Sequence, residues 1–197
     1  MNADHVLDLL TSRGAIRNGH FVLSSGLHSD VYVEKARVFE DPEATARLGR
    51  EIASWFERID AVVSPAVGAL PLGFAVALAA GARFLYAERV DRRMALRRGF
   101  RLEPGERVLV VEDVVTTGGS AAEVHGLVTD AAADPLGVAA LVDRSAGEVG
   151  FPLRALARVS ADAWDPAACP LCERGVPIDS PGSRHLKAKP LATPPNP

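Results

Sequence analysis

The sequence predicts an α/β fold with a central, mostly parallel sheet flanked by helices. Two observations carry that reading. Short runs rich in valine alternate with helical stretches: residues 60–64 precede an apolar helix at 72–80, and 108–112 precede another at 121–131. These runs are apolar on successive residues, the pattern of strands covered on both faces. At 197 residues, with 48% hydrophobic and 24% charged content, the chain suits about one domain with a sizeable core.

Several classes of function fall away at once. The net charge of −3 gives no global reason to expect a nucleic-acid or membrane-surface partner. The apolar run at 70–82 is too short to span a bilayer. The N-terminus lacks a basic region followed by an apolar core, so no export signal is read there. Two cysteines do not make a disulfide framework, and a cytoplasmic location is expected. The chain divides into an N-terminal helix with a strand pair (1–40), an α/β core (41–164) and a proline-rich C-terminal extension (165–197).

Taken in order, residues 4–12 place Val6, Leu7, Leu9 and Leu10 on an amphipathic helix that Gly14 ends. Segments 19–26 and 29–35 read as two strands joined at Gly26. Asp41-Pro42 is a strong helix start, a capping side chain followed by proline, with Ala44, Leu48, Ile52 and Phe56 facing inward. After the strand at 60–64, the loop 65–73 holds Ala66, Val67 and Gly68, a candidate anion cradle offering only backbone N–H groups. A strand at 83–88 leads to a run of six arginines within 89–101, read as a loop between strands. Pro104-Gly105 turns the chain into the strand at 108–112. A strand at 138–142 ends in Asp143-Arg144, and 153–159 supplies the last strand. In the extension, Cys169 and Cys172 have metal-ligand spacing, but a structural zinc needs four ligands and His185 is the one nearby third candidate. Packing or a free thiol pair is therefore the favoured reading. Residues 190–197 read as an extended tail.

The stretch 108–120 organises the rest. Its strand delivers two carboxylates, Glu112 and Asp113, followed by Val114, Val115, Thr116, Thr117, Gly118, Gly119 and Ser120, and then a helix with Ala121, Val124, Leu127, Val128 and Ala131 at core spacing. Ser120 and Glu123 have the spacing of a capping box. Accessible N–H groups at a helix start favour a phosphate, and carboxylates accept hydrogen bonds from sugar hydroxyls. The ligand these features imply is a ribose 5-phosphate. Neither G-x-x-x-x-G-K-[ST] nor G-x-G-x-x-G after a strand is present, which removes the competing phosphate motifs.

This stretch also resembles the phosphoribosyl pyrophosphate (PRPP) signature of type I phosphoribosyltransferases. F-x-L-x-S-G-x-x-S at 21–29 is similar to the N-terminal hood of orotate phosphoribosyltransferases, and the resemblance spans roughly residues 14 to 160. It implies a type I phosphoribosyltransferase fold with a small hood. The implied activity is a pentosyl transfer in de novo pyrimidine (UMP) biosynthesis: orotate and PRPP give orotidine 5′-monophosphate and pyrophosphate. Mg²⁺ would be required and a homodimer formed. On this resemblance Glu112 and Asp113 hold the ribose hydroxyls, Val114 and Val115 belong to the PRPP-binding stretch, Thr116 to Ser120 bind the 5-phosphate, and Ala66, Val67 and Gly68 face the pyrophosphate. Thr116, Arg144, Ser25 and Lys35 are the candidates for the base. Arg89, Arg92 and Arg93, with Asp113, are the catalytic candidates, and magnesium would come with the substrate, Asp113 being the side chain nearest to a direct ligand. The chain departs from the family in three places. Ser24 stands where many members have lysine, Val67-Gly68 replace another lysine, and the arginine-rich segment lacks the usual lysines and histidine. Arginine supplies fixed charge but no proton, so that segment is expected to act electrostatically as a mobile loop. A purine or another base as acceptor, or a PRPP-sensing regulator without turnover, are the alternative readings.

Overall fold

This computed structural model describes residues 3–23 and 25–181, which leaves Ser24, His185 and the 190–197 tail outside the described residues. The chain falls into two compact units, one of residues 1–16 and 33–160, the other of 17–32 and 161–197. The first helix thus belongs with the α/β core, while the strand pair belongs with the C-terminal extension.

In the first unit, α1 (Ala3–Ser12) buries Val6 and Leu10 and packs along the last strand of the sheet. After β1 (Ile16–Val22) and β2 (His28–Val33) come a short helix, α2 (Ala36–Phe39), and then α3 (Pro42–Ala53). Asp41 starts α3 as expected, its side chain accepting from the N–H groups of Glu43 and Ala44 at 2.9 and 3.0 Å. Ala44, Leu48 and Ile52 are buried, but the helix ends at Ala53, so Phe56 lies in the following turn and is only half-buried.

The sheet is formed by β3 (Ala61–Pro65), β4 (Arg83–Val90), β5 (Arg93–Leu96), β6 (Arg107–Val115), β7 (Asp134–Asp143) and β8 (Leu153–Arg158), in the order β5-β4-β3-β6-β7-β8. All neighbours run parallel except β4 and β5. Successive residues of β3 are all buried, as a strand covered on both faces must be. One face packs Ala61, Val63, Val108 and Val110 against Ala121, Val124 and Val128 of α5 (Gly119–Asp130). The other face is covered by α4 (Leu70–Ala80), which in turn packs on α3. Each fully buried valine or leucine contributes on the order of 1.5–3 kcal/mol. The chain leaves β3 for β4 on one side and β6 for β7 on the other. β3 and β6 therefore flank the topological switch point, where ligands of such sheets bind.

Three local expectations are corrected. α4 begins at Leu70 rather than at 72, so the loop after β3 is only 66–69. β6 does not stop at Glu112. The β-branched pair Val114-Val115 continues pairing with Val142 and Asp143, so both carboxylates sit inside the strand. The arginine-rich segment is not simply a loop, because β4 and β5 form an antiparallel hairpin through Asp91 and Arg92. Both residues have positive φ (45° and 69°), the arrangement of a tight two-residue turn. Met94 supplies the local reason, being buried in the core while the arginines around it face outward.

In the second unit, β1 and β2 are joined by a turn in which Gly26 N–H donates to the Leu23 carbonyl at 2.9 Å and Leu23 N–H to that of Leu27 at 2.8 Å. The two-residue strand β9 (Ala163–Trp164) pairs antiparallel with His28 and Ser29 of β2. A single turn of helix, α6 (Pro170–Glu173), follows, and the chain returns to bridge Asp179 to Phe21.

Candidate active site

β6 brings Glu112 and Asp113 to the switch point, where they are only 8% and 7% exposed. Short local bonds fix both: Asp113 N–H donates to Glu112 Oε1 at 2.9 Å, and Val114 N–H to Asp113 Oδ1 at 2.6 Å. Burial pushes the Glu112 carboxyl well above the usual carboxylate range, and the neighbouring Asp113 charge pushes it the same way. Lys35, at the start of α2, places Nζ 3.0 Å from Asp113 Oδ2. The lysine singled out for the base is thus held on Asp113.

The 66–69 loop approaches the same carboxylate from β3. A Cβ on Gly68 would lie 2.1 Å from Asp113 Oδ2 and 3.3 Å from Lys35 Cε, so only glycine lets the loop backbone lie against this pair. The peptide between Ala66 and Val67 is cis, and the Val67 side chain points to solvent. The three candidate elements for ribose, pyrophosphate and cation are therefore contiguous.

Beyond β6, Thr116 and Thr117 are exposed, and Gly118 caps α5 with φ at +74°. Phe151 and Val149 lie 3.1–3.2 Å from where its Cβ would be, a second reason for glycine. Glu112 and residues 114–121 line a cleft of about 90 Å³, into which the first-turn N–H groups of α5 are available because a helix leaves them without internal partners. The expected capping box does not form. Glu123 instead accepts the Met94 N–H at 2.7 Å and a bond from Arg89 Nη1 at 3.1 Å, docking the β4–β5 hairpin onto α5. The backbone donor of β5 outcompetes the helix's own, which no local spacing rule reports.

The candidate arginines separate. Arg89 reaches the start of α5, with Nη2 3.3 Å from Ser120 Oγ and Nη1 2.6 Å from the Arg92 carbonyl. Arg92 and Arg93 lie at the tip of the hairpin and are exposed. Arg98 turns back to pair with Glu88 at 2.9 Å.

On the far side of β6, Arg144 N–H donates to the Val115 carbonyl at 2.7 Å, which sets Arg144 beside Thr116 at the end of β7. Asp143 does not pair with Arg144. It accepts from the backbone and hydroxyl of Ser145 at 2.8 and 2.6 Å and faces Arg158. A wider opening of about 500 Å³, lined by Asp143, Ser145, Phe151 and Arg158 among others, continues along this sheet edge. Glu112 and residues 114–121 line the smaller cleft and not this opening. Ser25 belongs to the second unit, in the turn between β1 and β2. Cys169 and Cys172 belong there too, gathered with His20 and His28, two histidines that sequence reading passed over. Among the described residues no helix is long and apolar enough to cross a membrane.

No protein-family model matches the chain. Individual proteins do. The chain is 45% identical over 190 residues to an orotate phosphoribosyltransferase of Desulforamulus reducens, covering 94% of this chain and all of that one. It is 46% identical over 186 residues to an orotate phosphoribosyltransferase of Thermotoga maritima, covering 92% of this chain and again all of the relative. Among solved structures, the orotate phosphoribosyltransferase of Aeropyrum pernix superposes with a TM-score of 0.66 at 30% identity, over 78% of this chain and 93% of that one. Likeness of this extent, over the whole length of its relatives, places the chain in the orotate phosphoribosyltransferase family.

Proposed function

We propose that the chain transfers the 5-phosphoribosyl group of PRPP to N1 of orotate, giving orotidine 5′-monophosphate and pyrophosphate. The observation that carries this reading is that the switch point gathers Asp113, packed against Gly68, and Glu112, which lines one cleft with the 116–120 loop, beside relatives named for this reaction. Breaking the C1–pyrophosphate bond leaves positive charge on the ribose ring while negative charge grows on the departing group. Glu112 and Asp113 accept hydrogen bonds from the ribose hydroxyls and orient C1. The N–H groups of 116–120 hold the 5-phosphate, and those of Val67 and Gly68 face the pyrophosphate, Ala66 N–H being donated to the Ala87 carbonyl at 2.8 Å. Arg89 reinforces the phosphate loop, and Arg92 and Arg93 supply cationic charge from the hairpin. Arg144, with Thr116, takes the base, a guanidinium being matched to a carboxylate.

Both oxygens of Asp113 are already engaged, by Val114 N–H and Lys35, so the site fits a magnesium ion that would be carried mainly by substrate oxygens, with Asp113 beside it. When bound, the ion neutralises charge on the diphosphate. A homodimer, in which one subunit's hairpin serves its partner, and a cytoplasmic setting complete the proposal.

The test is orotate consumption followed by absorbance with PRPP and Mg²⁺, beside uracil, xanthine, hypoxanthine and adenine. Magnesium-dependent loss of orotate alone is expected. Turnover of another base would refute the role of Arg144, and PRPP binding without turnover of any base would refute catalysis. Asp113→Asn should keep the fold and lose activity by on the order of 10²-fold, since charged hydrogen bonds are worth about 1.5–3 kcal/mol each.

A further inference from the structure

The second unit has little to hold it together by burial alone. Its elements are a pair of short strands, a two-residue strand and one turn of helix, drawn from both ends of the chain. At its centre four side chains point their donor atoms at one another. His20 Nε2 lies 2.9 Å from His28 Nδ1, 3.5 Å from Cys169 Sγ and 3.7 Å from Cys172 Sγ, and Cys172 Sγ lies 3.3 Å from His28 Nδ1. All four atoms fall within 4.8 Å of one another. His20, His28 and Cys169 are nearly inaccessible, at 2%, 6% and 1% exposed.

Hydrogen bonding among the four does not account for this. His20 Nδ1 lies 2.8 Å from the Val176 carbonyl, an acceptor only, so Nδ1 carries the proton and Nε2 presents one lone pair. Three neighbours converge on that single lone pair, at 2.9, 3.5 and 3.7 Å. One cation at the centre would satisfy all four atoms together. Tetrahedral zinc with Zn–S near 2.3 Å and Zn–N near 2.05 Å sets N–S edges of about 3.6 Å and an N–N edge of about 3.3 Å. Three of the N–S separations, at 3.3–3.7 Å, bracket the first value, and the N–N separation of 2.9 Å is a few tenths of an ångström shorter than the second. Two thiolates and two imidazoles in a compact tetrahedron select zinc over hard cations. The Val176 carbonyl is the outer-shell partner that fixes a ligating imidazole's tautomer. Cys169 and Cys172 form a C-x-x-C pair at the start of α6, and the two histidines flank the turn between β1 and β2.

We propose that His20, His28, Cys169 and Cys172 bind one zinc ion, which ties the β1–β2 pair to the 161–181 segment. The site is structural: four protein ligands close the coordination sphere and leave no open position for substrate.

The test uses the full chain, purified without chelator. Elemental analysis should find about one zinc per chain. Replacement of zinc by cobalt should give thiolate-to-cobalt charge-transfer absorption and the intense d–d bands of a tetrahedral centre. Both thiols should resist a thiol reagent in the zinc form and react after chelation. The Cys169→Ser, Cys172→Ser double variant should lose the metal and the cobalt spectrum, whereas His28→Cys, which keeps four ligands, should retain both. Should the double variant fail to fold, the chelation and cobalt measurements on the native chain decide alone. A native chain that carries no zinc and takes up none from excess Zn²⁺ overturns the proposal. So do thiols that react equally with and without zinc, or a Cys169–Cys172 disulfide found by mass.

Discussion

Gly68→Ala puts one methyl group where the structure has room for none. Its Cβ would lie 2.1 Å from Asp113 Oδ2, against the 3.4 Å or more of ordinary contact, a shortfall of about 1.3 Å. The carboxylate cannot swing aside freely, because Lys35 holds Oδ2 at 3.0 Å and Val114 N–H holds Oδ1 at 2.6 Å. Either the 66–69 loop retreats or Asp113 leaves its partners. Overpacking of this kind costs about 1–3 kcal/mol, and a displacement of about 1 Å at a reacting centre costs on the order of 10²-fold in rate. The variant should therefore melt roughly 2–12 °C lower, at about 2–4 °C per kcal/mol for a chain of this size. It should lose about 10²-fold in kcat/KM for PRPP and orotate, read by orotate absorbance. Gly126→Ala is the control. It lies within α5, its Cβ would meet nothing within 4 Å, and the helix should gain about 0.5–1 kcal/mol with activity unchanged. If Gly68→Ala kept kcat/KM within twofold of the native chain, the packing of this loop on Asp113 would not govern catalysis.

Two further perturbations probe the acid pair and the hairpin. Burial holds the Glu112 carboxyl above its unfolded range, so its contribution to stability is present below the unfolded pKa and is lost as pH rises through the folded one, by at most about 1.4 kcal/mol per pH unit. Glu112→Gln should accordingly raise the melting temperature most at alkaline pH while lowering activity; an offset constant from roughly pH 5 to 8 would remove burial as the cause. Glu123→Ala should strip the hairpin of its anchor, leaving the Met94 N–H without its acceptor at a cost of about 1–3 kcal/mol, with faster hydrogen exchange at that amide and lower kcat/KM. Glu123→Gln, which keeps an acceptor oxygen, should lose less, and unchanged exchange at Met94 in both variants would show that Glu123 does not hold β5.

What the sequence made legible was decided locally. Strands covered on both faces read as valine runs, and the Asp41-Pro42 cap read as a helix start. What it hid was decided by partners distant in the chain. Ser120 and Glu123 have capping spacing, yet a donor on β5 takes the carboxylate. Six arginines suggested a mobile loop between strands, yet the buried Met94 folds part of the run into a strand. Lys35 was visible as a cation, but not that Asp113, 78 positions on, would hold it. Cys169 and Cys172 were visible as a pair, while their histidine neighbours sit some 150 residues earlier on a strand pair that gives no sign of them.

The pairing of β2 with β9 also sets a clock. His28 lies opposite Trp164, so its partner leaves the ribosome 136 residues later, on the order of ten seconds at roughly 5–20 residues per second. Through that interval the β1–β2 pair has both edges open and two histidines without their cysteines. The earliest strands made are thus among the last to be completed. A nascent chain halted after residue 160 would carry a full α/β core. It would also trail an unfinished β edge, of the kind that recruits other chains.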